Sequence, residues 1–284
     1  DSYSAEYMIT SNGFETELED TAFSLSAEVA LRGEGDSRPE SFWYDSSVYW
    51  EDLQKTGISK HALKRATGKI GKKKIRSGKY SMLVDNMVSS RLLVPVISAL
   101  YGVSLHQKSS FLIDKLGEKI TSSKLTLTDT PHLKRNFGSR WFDSEGVATF
   151  DGKIIDEGIL RMYFIDTYSA LKMNIAPTIS SPSIISVQQQ SLDFNDMLKN
   201  MFNGIWVTDF NGGNTNPTTG DFSFGIEGFL VEHGSITQPI NEMNITGNML
   251  NLWASLIDTG NDPRRNTSWQ VPSLLFLDVN FNGL

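Results

Sequence analysis

The chain has 284 residues, no cysteine and a formal net charge of −7 at pH 7. Without cysteine there is no disulfide framework, no thiolate nucleophile and no cysteine-ligated zinc, and no run approaches the roughly 18 apolar residues of a membrane span. The length admits one large domain or two, and the composition is that of an ordinary globular protein placed in a reducing cytoplasm. The chain opens on Asp1-Ser2-Tyr3, with neither initiator methionine nor signal peptide, and is expected to lack an N-terminal part.

In chain order, Glu6 to Thr10 reads as a strand that turns at Ser11-Asn12-Gly13, and Phe23 to Leu31 alternates with the strand period. Asn-Gly near such runs predicts a hairpin. A polar loop follows over Gly33 to Pro39, then a third strand at Ser41-Phe42-Trp43-Tyr44. The three are expected to form an antiparallel sheet. Glu51 to Ile70 reads as a helix of mixed pattern, broken at Gly57. From Lys60 to Lys79 the basic residues crowd together (Lys64, Arg65, Lys69, Lys72, Lys73, Lys74 and Arg76 among them) with no acidic residue between Asp52 and Asp85. Such a run can track phosphates. The preferred reading is a solvated helix end and linker, because aromatic interleaving is missing and the whole chain is acidic. A boundary is placed near Ser77-Gly78, giving a middle segment over residues 1–77 and a C-terminal domain over 78–284.

Tyr80 to Val84 reads as a strand, Asp85 or Asn86 as a cap, and Val88, Leu92, Leu93, Val96, Ile97 and Leu100 as the wide apolar face of a buried helix. Pro95 inside it predicts a kink or a late start. Leu125 to Asp129 and Ile159 to Ile165 read as strands, Phe137 to Ala148 as a loop, Asp166 as the cap of a short helix, and Asp193 to Phe202 as another helix. A second loop, Phe210 to Asp221, separates strands Ile205–Thr208 and Phe222–Val231, where Gly225 and Gly228 predict a bulge or close backbone approach. A short strand from Ile236, a small helix over Gly247–Ile257 and a closing strand over Pro272–Val279 complete an α+β fold. Its C-terminal domain is rich in antiparallel strands around a central buried helix, preceded by a small β-plus-helix segment.

Several motifs in the second half occur in an order that identifies a family: Lys108-Ser109-Ser110-Phe111-Leu112, Asp143-Ser144-Glu145-Gly146-Val147, Asp166-Thr167-Tyr168-Ser169-Ala170, Asn216-Pro217-Thr218-Thr219-Gly220-Asp221, and Gly247-Asn248 with Gly260-Asn261-Asp262. They resemble the TldD/PmbA peptidase family, on its PmbA (or TldE) side, which was named as a modulator of DNA gyrase. What the resemblance leaves uncovered is the family's N-terminal domain. It implies that a TldD-type subunit holds a catalytic zinc through HExxxH on a helix and a later cysteine. Here Val94 and Pro95 stand at the His-Glu positions and Ala99 at the second histidine, so the resemblance implies no catalytic residue and no metal in this chain, with zinc only in a TldD-type partner.

No other constellation in the sequence makes a catalytic set. His61, His106, His132 and His233 stand singly, with no pair at metal-ligand spacing. Asp143 and Glu145 beside Arg140 could be an acid-base pair, but loop caps and an ion pair are preferred. Gly212-Gly213 lacks the lysine and helix of a phosphate cradle. The resulting expectation is a non-catalytic subunit of a cytoplasmic zinc-peptidase assembly, inactive alone. It pairs with a TldD-type subunit, or with itself, and guides unfolded peptide along the Phe137–Ala148 and Phe210–Asp221 loops. Arg140 would take a peptide carboxylate, and Asn214 or Asn216 would bond its backbone. The alternatives are a self-sufficient peptidase with a different site and a regulator that binds gyrase or DNA. Some of Trp206, Phe210, Phe222, Phe224, Phe229 and Trp253 could form an interface core, while for any single one packing inside the domain is the preferred reading.

Overall fold

The computed structural model describes residues 1–33 and 38–283. Most of the loop expected over Gly33 to Pro39 therefore lies outside the described residues. Strand β1 (Ser2–Ile9) pairs antiparallel with β2 (Glu15–Ala30), which pairs in turn with β3 (Glu40–Ser47). Their hairpin turns at Thr10–Gly13, where Gly13 adopts φ 88° and donates to Thr10 O at 3.0 Å. The second strand begins well before the expected Phe23, because Glu15, Glu17 and Glu19 find backbone partners in Ile9, Tyr7 and Ala5. The expected helix from Glu51 is shorter. Trp50–Asp52 makes only a 3₁₀ turn, Gly57 at φ 83° breaks the chain, and α1 (Ile58–Gly68) buries Ile58, Ala62 and Ala66.

Next come β4 (Gly78–Val84), α2 (Ser90–Ala99) and α3 (Gly102–His106). Asp85 does not cap α2 directly. Its carboxylate accepts from Met87 N and its carbonyl from Val88 N and Ser89 N, so a turn precedes the helix. Pro95 sits inside α2, and the carbonyl it leaves without a helical donor is that of Arg91, an exposed residue that water can solvate. Short strands β5 (Leu127–Asp129), β6 (Gly152–Asp156) and β7 (Ile159–Leu160) follow, then α4 (Thr167–Met173), β8 (Ile185–Val187) and α5 (Phe194–Met201). The Asp166 cap read from the sequence holds, accepting from Ser169 N at 2.6 Å, and α5 is capped in the same way by Asp193, which accepts from Asp196 N at 2.9 Å.

The remaining elements are β9 (Gly204–Thr215), β10 (Asp221–Glu232), β11 (Ser235–Asn248), α6 (Met249–Ala254), β12 (Leu256–Thr259), β13 (Trp269–Gln270) and β14 (Leu274–Gly283). Sheet order is β11-β10-β9-β4-β14-β12, and β14 also pairs with β11, so five of the six strands close into a ring. A five-stranded sheet, β13-β8-β5-β6-β7, packs on the other side of one core. Between them α2 buries Leu92, Leu93, Val96 and Ile97, and Trp253 Nε1 donates to Leu92 O at 3.3 Å. This is the antiparallel-rich α+β fold with a central buried helix that the patterning predicts.

Two expectations need correction. Ile159 to Ile165 is strand only over Ile159–Leu160. The Phe210–Asp221 loop is mostly strand: β9 runs on to Thr215, paired with β10, and only the Asn216–Gly220 turn remains. Gly225 and Gly228 sit at register shifts of that pairing, where a Cβ would lie 2.5 Å from Asn211 O and 2.2 Å from Trp206 O.

Candidate functional site

The helix that would carry the zinc ligands offers none. Val94 is 45% exposed and Ala99 only 3%, so the two positions do not share an open face. The exposed stripe of α2 consists of Arg91, Val94 and Ser98. Among the described residues no three His, Asp or Glu side chains converge as a metal site would require, and zinc needs about three such ligands. The residues present do not fit the metal.

The four histidines are held apart by aromatic partners. His61 stacks on Trp43 at 5.0 Å and His132 on Trp141 at 4.5 Å, while His106 and His233 meet Tyr168 and Phe202 edge-on.

The Phe137–Ala148 loop is a loop, organised by carboxylates. Asp143 is buried and accepts from Glu145 N, Val147 N and Ser180 N at 2.9, 3.0 and 2.7 Å. Burial alone would raise its pKa, but these backbone donors outweigh it and hold the carboxyl below its usual range. Glu145 instead reaches α4 and accepts from Thr167 N at 2.9 Å. The two acids are therefore loop and helix clamps. The ion pair expected with Arg140 does not form, because that guanidinium goes to Ser183 Oγ at 2.8 Å and Ser181 O at 2.7 Å.

Sequence reading passed over Asp129, which is fully buried at the end of β5. Both its oxygens accept from Ser183 N, and Oδ1 also from Ile184 N at 2.8 Å. Burial raises its pKa despite those donors and the nearby Arg140 charge. Asp129, Asp143 and Arg140 together fix the 180–184 segment. The signal was the acid ending an apolar strand just before Thr130-Pro131.

Arg140 nevertheless lines a cleft of about 390 Å³ between this loop and one face of the β1–β2 hairpin, which contributes Ser4, Glu6, Leu18 and Asp20. Phe14 at the hairpin tip meets Phe142, which lines the cleft, edge-on at 5.1 Å. The bonds to Ser181 and Ser183 use Nε and Nη2 of Arg140 and leave Nη1 outside them. An extended chain in this cleft would meet the Arg140 guanidinium on one wall and, on the other, serine hydroxyls together with the Glu6 and Asp20 carboxylates.

Asn214 and Asn216 lie elsewhere. Asn214 is an exposed residue of β9 facing Ser223 in the register, and Asn216 Oδ1 is taken by the turn, accepting from Thr218 N at 2.9 Å. Pro217 O and Gly220 O accept from Phe111 N and Met249 N, so that turn is tied to segments with no bond to the Arg140 loop. The structure does not bring the two loops together through shared contacts. Of the six aromatics weighed for an interface, Phe222, Phe224 and Trp253 are buried in the core, and Trp206, Phe210 and Phe229 are half-buried beside it.

Three residues of the basic run are held in ion pairs. Lys69 and Lys72 flank Glu227 at 2.8 and 2.6 Å, and Arg65 meets Asp85 at 3.1 Å. Burial opposes ionisation of Glu227, but the two lysines overcome it and hold its pKa low.

Comparison with known proteins places these features in context. A family model described as the PmbA/TldA metallopeptidase C-terminal domain matches residues 77–283. A metalloprotease PmbA homolog from Buchnera aphidicola subsp. Acyrthosiphon pisum is 35% identical over 250 residues, covering 87% of this chain and 56% of the relative. The chain thus spans little more than half the length of that relative. The crystal structure of a candidate modulator of DNA gyrase from Bacteroides thetaiotaomicron superposes with a TM-score of 0.98 at 55% identity, covering 99% of this chain and 64% of that one. TldE from Thermococcus kodakarensis superposes at 0.88 with 20% identity over 99% of this chain and 67% of its own, a likeness of fold.

Proposed function

We propose a role for this chain from its membership of a known family: it belongs to the PmbA/TldD metallopeptidases, and within them it serves as a non-catalytic subunit. In this reading it pairs with a TldD-type subunit that holds the zinc, and helps to enclose and guide unfolded peptide toward that site. The observation that carries the reading is α2 itself. Its family ligand positions hold Val94, Pro95 and Ala99, and there is no cysteine to complete a set. Position 99 is packed into the core, so restoring one ligand there would not restore a site.

The cleft beside Arg140 supports the peptide-guiding part, with the Nη1 edge of Arg140 as the group that takes a carboxylate. Asn214 has an exposed amide for backbone contact on a separate surface. Asn216 is the weaker of the two, since its carbonyl oxygen already serves its own turn.

The test is reconstitution with a TldD-type subunit in the full-length setting. The partner alone, this chain alone and the mixture are assayed on an unfolded peptide, with sedimentation at micromolar concentration beside each. Cleavage that depends on the mixture, with a heteromeric species, supports the reading. A strictly monomeric chain that leaves the partner's activity unchanged refutes it. Within an active mixture, Arg140→Ala is expected to raise KM for peptides carrying a carboxylate. Unchanged kinetics would remove Arg140 from the path.

A further inference from the structure

A second cleft holds a cation that its surroundings leave incompletely satisfied. Arg264, in the β12–β13 connection, reaches across to the first sheet. Its guanidinium lies 4.5 Å from the Tyr44 ring and 5.2 Å from the Trp43 ring. Nη2 donates to Tyr44 O at 3.0 Å, and Nη1 has only the thioether sulfur of Met87. Nε is buried and has no partner among the described residues. No carboxylate comes within ion-pair distance of it among those residues. Asp85 is bonded to Arg65, and both oxygens of Asp45 are occupied by Gln54 N and Asn266 Nδ2 at 2.7 Å each.

Leaving a largely buried guanidinium without an anion is costly. Burial is the main pull on Arg264 and draws its basicity below the usual range, against the opposing charges of Tyr44, Asp45 and Asp85, and the neighbouring Arg65 adds a little to that pull. Beside it opens a space of about 410 Å³, lined also by the exposed Arg265, His61, Gln54 and Thr56. One wall is the Trp43 ring with His61 stacked on it at 5.0 Å, 21° from parallel. The cleft thus combines a flat aromatic wall with two guanidinium groups, and the carboxylate in its lining, Asp45, is engaged by Gln54 N and Asn266 Nδ2 rather than by either arginine. A docking role alone would use the bond to Tyr44 O, but it would have no use for an unpaired Nε or for a second arginine at the mouth.

We propose that this cleft binds a carboxylate attached to a flat apolar group, with Arg264 and Arg265 holding the carboxylate and the Trp43–His61 stack receiving the apolar body. The volume suits a ligand of that size. The chemistry is shared by a free aromatic acid and by the C-terminal phenylalanine of a peptide.

Calorimetric titration of the full chain with phenylacetate, with N-acetyl-Gly-Gly-Phe bearing a free carboxylate, and with the same peptide as its carboxamide separates the cases. Both free acids are expected to bind and the carboxamide to bind at least about tenfold more weakly, as loss of a charge-assisted pair implies. Whichever acid binds more tightly identifies the source. Arg265→Gln, at an exposed position, and Arg264→Gln should each weaken the acids by a similar factor without affecting the carboxamide. Should Arg264→Gln fail to fold, Arg265→Gln alone decides. No binding by either acid, equal binding of acid and carboxamide, or affinity unchanged in Arg265→Gln overturns the proposal.

Discussion

The closed β-ring that packs against α2 and the three-stranded sheet at the start of the chain are both antiparallel-rich, yet they are held by different physics. In the ring, Met82, Leu83, Val84, Ile205, Val207, Leu274, Leu275 and Phe276 are fully buried, so its strands are apolar on consecutive positions. In the first sheet, seven of the eight residues of β1 are exposed. That sheet is fixed by a few cross-contacts: Phe14 on Phe142, Asn266 to Asp45 at 2.7 Å, Ser46 Oγ to Asn266 O at 2.8 Å, and Arg264 on Tyr44. A core of this kind resists single polar losses, whereas a sheet fixed at points can detach without unfolding the rest.

The sharpest contrast is between two phenylalanines. Phe276 is fully buried and meets Trp253 edge-on at 5.4 Å, so Phe276→Ala should cost about 4 kcal/mol in denaturant unfolding. Phe42, half exposed on β3, should cost under about 1 kcal/mol. Equal losses would break the distinction between the two regions.

Next in size is Asp129→Ala, which strands the Ser183 and Ile184 amides inside the second sheet. About 3 kcal/mol is expected, with the 180–184 segment exchanging amide hydrogens faster. Phe14→Ala should cost only about 1 kcal/mol, but hydrogen exchange should accelerate across the β1–β2 hairpin while α2 stays protected. Loss of protection in α2 as well would mean that the first sheet supports the core.

A pH series sharpens the point for the cleft loop. The folded pKa of Asp143 is depressed, so its contribution is fully present above the unfolded value of about 3.9. It is lost as pH falls through the lower folded value, because the unfolded chain binds the proton first. Asp143→Asn should therefore flatten the loss of stability at acid pH, measured by melting temperature between about pH 5 and pH 3. The smallest effect belongs to Lys72→Ala, about 0.5 kcal/mol, since the pair is partly exposed and Lys69 remains on Glu227.

What the sequence made legible follows the same division. Helix α2, the Asp166 cap and the bulged glycines are readable because each rests on a local rule of spacing or backbone geometry. Asn211-Gly212-Gly213-Asn214 looks like a turn by every local rule, but a Cβ on Gly213 would stand 2.2 Å from Ser223 O, and pairing with β10 makes this stretch a strand. β11, 14 residues long, was read only as a short strand because Pro239, Asn241 and Asn244 interrupt its pattern while β10 and β14 supply its partners. Arg140 was legible as a loop cation, but its bonds to Ser181 and Ser183 were not, since those residues are some forty positions away. The Arg264 cleft lies between segments more than 200 residues apart, Trp43 and Tyr44 facing Arg264, which no local pattern encodes.

Whether this chain itself holds the catalytic metal is tested most directly by elemental analysis of the purified chain, dialysed against zinc-containing buffer and then passed through a desalting column. The prediction is zinc far below one ion per chain, unchanged when Val94 is replaced by alanine. One tightly held zinc per chain, removed only by a strong chelator and accompanied by peptide cleavage that the chelator abolishes, would contradict it.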